Sequence, residues 1–163
     1  MYKAKLVASM LAIATTLGTA HAAQVVDTKC ADENNGIFGE TASHQPVICA
    51  NGKWQDAKTV PMASIDIIKY SPTINNGVEA DYQAETFVGT RQLRQSSDGY
   101  GQFTLVATVV AFNADNTAHV VIDLNDSDWQ KHVDATVPLD TATAIATDSH
   151  GAEYRLTIKR TPA

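Results

Sequence analysis

From Met62 onward the apolar residues of this 163-residue chain tend to recur at every second position, the spacing that sets alternate side chains on one face of a pleated strand. In 154–159, Tyr154, Leu156 and Ile158 fall on one side and Arg155, Thr157 and Lys159 on the other, which predicts a half-buried strand. The stretch 103–112 is denser. Phe103, Leu105, Ala107, Val109 and Ala111 make one face, and Thr104, Val106, Thr108, Val110 and Phe112 the other. Both faces are largely apolar, so the pattern predicts a central strand covered on two sides. Residues 113–117 supply turn chemistry, with Asp115 or Asn116 able to take a left-handed conformation, and Val120, Ile122 and Leu124 then face inward to complete a hairpin.

The remaining segments are shorter. Residues 65–70 form a strand that stops at Ser71 and Pro72, and 141–147 a weaker one rich in Thr and Ala, joined by the turn 148–151 to the last strand. Residues 82–93 fit a helix or a strand, and Thr86, Val88 and Thr90 favour the strand. In 126–134, Trp129 and Val133 stand at helical spacing behind acids that can cap an N-terminus, which predicts one short helical turn. Five or six short strands without a long helix argue for an all-β fold, an antiparallel β-sandwich or small barrel, because the connections are too short to hold crossover helices.

Ahead of this region the chain changes character. Residues 1–22 read as a signal peptide: Lys3 and Lys5 make a basic start, 6–17 is apolar, and Ala20, His21 and Ala22 form an A-x-A processing site. Residues 23–60 then make a polar, turn-rich segment and 61–163 the β domain. The apolar part of the leader is shorter than a membrane span, and no later run reaches that length, so no membrane span is expected. Export places the only two cysteines, Cys30 and Cys49, in an oxidising compartment, periplasmic or extracellular, where they are expected to pair. Such a bond closes a loop of about 20 residues and stabilises by roughly 3 kcal/mol, against a typical total of about 5–15 kcal/mol. Within this segment Val47-Ile48-Cys49-Ala50 and Lys53-Trp54 flank Asn51-Gly52, a strong signal for a tight hairpin turn with positive φ at both central positions.

The arrangement of Cys30, a glycine-containing polar loop and then Cys49-Ala50-Asn51-Gly52-Lys53-Trp54 resembles the short Cys-loop module of pilus-associated and shufflon-type proteins of Gram-negative bacteria. That resemblance covers roughly 25 residues, and it implies a periplasmic or surface protein with an interaction role at a pilus or conjugation apparatus. Trp54 is read first as the residue that caps the disulfide and fills a small core, with an exposed aromatic platform as the sharper alternative. Phe38, an apolar residue in the polar loop, and Tyr100, in the loop 96–101, join it as candidate binding residues.

Charge and motif content narrow the chemistry. Lys3 and Lys5 are the only charged residues of the leader, which leaves ten basic against 18 acidic residues and a formal charge of −8 beyond it. With the arginines and lysines dispersed among acids, nucleic acid is not an expected partner. The histidines His44, His119, His132 and His150 lack zinc-site spacing, and His119 is read as a solvent-facing partner for a carboxylate. Asp123, Asn125, Asp126 and Asp128 form the densest oxygen cluster, but Ser127 and the missing glycine depart from a calcium loop, so a solvated turn is preferred. No serine lies in a G-x-S-x-G elbow, and Asp148, Ser149 and His150 are too close in sequence to place nucleophile and base face to face. The expectation is therefore a secreted, non-enzymatic binding or structural protein of the bacterial cell envelope, pilus- or secretion-associated, with a protein partner of the envelope or cell surface and no cofactor. An extracellular hydrolase or carbohydrate-binding module, motivated by Trp54, Tyr100 and Trp129, is the alternative, and a purely structural surface antigen a third.

Overall fold

A computed structural model describes residues 23–74, 77–98, 101–126 and 129–161. The leader 1–22, Tyr100 and Asp128 lie outside the described residues. Among the described residues, eleven strands and one 3-10 turn, Asp32–Asn34, make up the regular structure. Three short strands, β1 Phe38–Glu40, β2 Pro46–Ala50 and β3 Lys53–Asp56, form an antiparallel sheet in the order β1-β2-β3. The other eight build two four-stranded sheets. Sheet B holds β4 Met62–Tyr70, β5 Val78–Phe87, β10 Thr143–Thr147 and β11 Glu153–Thr161 in the order β10-β11-β4-β5. Sheet C holds β6 Arg91–Asp98, β7 Gly101–Phe112, β8 Thr117–Asp126 and β9 Trp129–Pro138 in sequence order.

These orders combine into one path. Each strand from β4 to β11 pairs with its successor except β5 with β6 and β9 with β10, and β11 returns to pair with β4 over nine residues. This is an eight-stranded meander whose ladder is interrupted at two corners, between β5 and β6 and between β9 and β10, so that it flattens into two facing sheets. The inward residues of both sheets form one core, including Ile65 and Ile67 of β4, Leu105 and Val109 of β7, Val120 and Ile122 of β8, and Leu156 and Ile158 of β11. The all-β antiparallel class and the inward phase of β7, β8 and β11 follow the sequence pattern.

Three expectations need correction. The helical turn at 126–134 is a strand: β9 runs ten residues in full register with β8, because Val133, Ala135 and Val137 continue a period of two that the shorter window hid behind Lys131. The single strand at 82–93 is two strands split at 88–90, where the chain crosses between sheets with Gly89 at φ +82°. β7 is covered on one face only, since Thr104, Val106, Thr108 and Val110 are half-exposed. A register shift between Val109 and Ala111 also moves Phe112 from the outer side to the core side, opposite Ala118.

The N-terminal unit closes around its own small core. Cys30 and Cys49 are joined, and with Val47 and Trp54 they form a buried cluster. Asn51 and Gly52 take φ of 50° and 72°, and Cys49 stands opposite Trp54 in the hairpin. Residues 24–30 run beside it, with the Gln24 amide donating to Glu40 O and the Cys30 amide to Gly52 O. Gly39 is closely packed here: a Cβ on it would lie 3.0 Å from Gln24 Cγ and 3.3 Å from the Trp54 ring, so these side chains would have to shift to admit it. The unit is bonded to the corner at 88–90. The Asn51 amide donates to Gly89 O at 2.9 Å, and the Asn35 and Asn51 side chains donate to Gly89 O and Val110 O.

Candidate functional site

Two features of the sandwich combine functional residue types, one inside its loop end and one on its outer surface. Inside, the inward phase of β4 runs Ala63, Ile65, Ile67 and then Lys69, and that of β8 runs Val120, Ile122, Leu124 and then Asp126. The last core position of each strand is thus a charge. Lys69, only 8% exposed, places its Nζ 2.8 Å from Asp126 Oδ2, 2.9 Å from Glu79 Oε1 and 3.5 Å from Asp148 Oδ2. Tyr154 Oη donates to the same Asp126 Oδ2 at 2.8 Å. Its ring lies 5.6 Å from the lysine nitrogen and belongs to a series of stacked rings, with Trp129 at 5.4 Å, Phe103 at 6.4 Å and Tyr82 at 4.4 Å beyond Phe103.

The protonation of this cluster is set by competing causes. Burial works against the Lys69 charge, but hydrogen bonds to Asp126 and Glu79 outweigh it and hold the ammonium well above the usual lysine range. Burial likewise opposes ionisation of Asp126, and the bonds from Lys69 and Tyr154 overcome it, so its carboxyl lies below the ordinary range. Burial and the bond to Asp126 keep the Tyr154 phenol protonated beyond its usual range. At neutral pH the cluster rests as an ion pair with no group poised to exchange protons with solvent.

The outer surface of sheet C is different. Directly opposed residues make rows across the four strands: Arg91, Thr108, Val121 and Asp134 in one, and Leu93, Val106, Asp123 and His132 in the next. Leu93 is 56% exposed, and Val106 and Val121 are half-exposed. The polar residues at the β9 side are mutually bonded, His132 Nδ1 to Asp123 Oδ1 at 2.6 Å and His119 Nε2 to Asp134 Oδ1 at 2.7 Å. An apolar strip with a polar, hydrogen-bonded rim is the result. His119 therefore does meet a carboxylate.

The residues singled out by sequence are dispersed. Trp54 is packed against the disulfide at 6% exposure, so its ring is not an open platform. Phe38 is 57% exposed and meets Phe87 edge-on at 5.6 Å, at the seam between the N-terminal unit and the sandwich. Asp123 and Asp126 leave opposite faces of β8 and do not converge. Ser149 Oγ lies 3.3 Å from His150 Nδ1, while Asp148 Oδ1 accepts from the His150 and Ala152 amides and shapes the turn. Among the described residues no group of three or more His, Cys, Asp and Glu is arranged to hold a metal ion, and no helix is long and apolar enough to cross a membrane. Lys69, Glu79 and Leu93 were not singled out from sequence, although Lys69 announces itself as a lysine in the inward phase of an apolar alternation. No protein-family model, curated protein or solved structure matches the chain.

Proposed function

We propose that the chain is an exported, non-enzymatic binding protein of the bacterial envelope, which docks a protein partner on the outer face of sheet C. The observation that carries this reading is the uncovered strip of Leu93, Val106 and Val121, rimmed by Arg91 and the two His–Asp pairs. An apolar centre with a polar rim is the usual anatomy of a protein interface, and a flat sheet face suits a partner with an apolar patch of its own. Export is supported by the leader and by the Cys30–Cys49 bond, which persists in oxidising compartments. The pilus or secretion setting rests on the Cys-loop resemblance. The carbohydrate-binding alternative has weaker support, since Trp54 is packed and Trp129 stacks on Tyr154.

The test is retention of an envelope protein by the mature chain, compared with a Leu93→Glu/Val106→Lys variant whose circular dichroism is unchanged. Retention lost in the variant supports the reading. Equal retention, or none by the wild-type chain, contradicts it.

A further inference from the structure

We propose that Lys69 and Asp126 condense into an isopeptide cross-link between the Lys69 Nζ and the Asp126 Cγ, with Glu79 as proton carrier and Tyr154 as the donor that polarises the carboxyl. This inference is independent of any partner. Its basis is the placement of a buried amine between a partly buried carboxyl and a second, more exposed carboxyl at the loop end of the core. The Lys69 nitrogen is 2.8 Å from Asp126 Oδ2 and 2.9 Å from Glu79 Oε1, and Tyr154 Oη donates to that same Asp126 oxygen at 2.8 Å. An ammonium and a carboxylate do not condense in water, where both ions are strongly solvated. Here water is largely excluded from the lysine; the resting state is the ion pair, and the 2.8 Å contact gives the proton a direct path from Nζ to the carboxylate, the transfer that must precede attack. The reacting groups sit at the ends of β4 and β8, each held by pairing within its own sheet, so the encounter is intramolecular and pre-oriented, the condition under which effective concentrations become very large.

The step balances without an oxidant or co-reactant. The Lys69 ammonium passes one proton to the Asp126 carboxylate, giving a neutral amine and a neutral acid. The amine attacks Cγ and forms the N–C bond, while Tyr154 supports the charge that develops on the carboxyl oxygen. Glu79 takes the second proton from the nitrogen and returns it to the hydroxyl, the C–O bond breaks, and one water leaves. Glu79 ends ionised, as it began. Asp126 is the acyl donor because its Oδ2 accepts from both Lys69 and Tyr154, whereas Glu79 meets only the lysine. The product would tie β4 of sheet B to β8 of sheet C, at the end of the sandwich away from the corner that holds the N-terminal unit.

Intact-mass spectrometry of the mature protein, denatured and with its disulfide reduced, tests this. The expected mass is lower than the sequence mass by one water, and fragmentation of a digest should give a branched peptide joining Lys69 to Asp126. The Glu79→Gln chain, folded by circular dichroism, should show the full mass, an effect a merely structural role would not produce. A wild-type chain at full mass after prolonged incubation overturns the proposal. So does a water loss that persists in Lys69→Arg, which would place the dehydration elsewhere, or a branch at Glu79 or Asp148.

Discussion

At the scale of single residues, the molecule is governed by charges in positions that the strand pattern assigns to the interior. Lys69 and Asp126 extend apolar alternations, and the same alternation that reveals the core also marks them as out of place. What sequence does not reveal is that two strands of different sheets bring them together. Lys69→Met leaves Asp126 and Glu79 without their cation, and thermal or urea unfolding should show a loss of about 3 kcal/mol or more. In the Glu79→Gln chain, where the pair stays ionic, Asp126 retains its lowered folded pKa. Its contribution is present above the unfolded carboxyl value of about 4 and is lost as pH falls through the folded value. Acid titration should therefore destabilise that variant, and a cross-linked wild-type chain should lack this component. Asp66 works in the opposite sense. Burial and the neighbouring Asp81 carboxyl raise its folded pKa, with Lys159 partly offsetting them, and its buried Oδ1 has no partner. The stability of its protonated form is lost as pH rises from about 4 through the folded value. Asp66→Asn should raise stability near pH 7 by about 1 kcal/mol and flatten that pH dependence in urea titrations.

At the scale of elements, the legible parts are those whose period of two is uninterrupted. The inner faces of β7, β8 and β11 are written in their apolar residues, and the Asn51-Gly52 hairpin in its turn residues. Two kinds of element escape. β6 has the sequence Arg-Gln-Leu-Arg-Gln-Ser-Ser-Asp and is a strand because β7 holds it in register from Arg91 to Asp98, not through propensity. The corner at 88–90 is set by contact with the N-terminal unit, which no local pattern reports. A Cβ on Gly89 would lie 2.5 Å from Asn51 Cγ, and its φ is +82°. Gly89→Ala should cost about 2 kcal/mol in urea unfolding. Cys30→Ser/Cys49→Ser should remove roughly 3 kcal/mol from the N-terminal unit. Hydrogen exchange should then show amides of 24–56 opening well before those of β7 and β8.

At the scale of the whole molecule, the meander closes on itself through β11 and β4 and leaves sheet C with one sealed and one open face. The apolar outer side of β7 reads as a sign of two-sided cover, and the described residues provide cover on one side only. The proposed occupant of the open face is a protein partner, and that proposal is the central claim. A photo-crosslinking residue placed at Val106, in cells that export the chain, tests it most directly, with the same residue at Ser64 on the outer face of sheet B as the reference. The account predicts a discrete protein adduct from Val106 and none from Ser64. No adduct at Val106, or the same adducts from both positions, would contradict it.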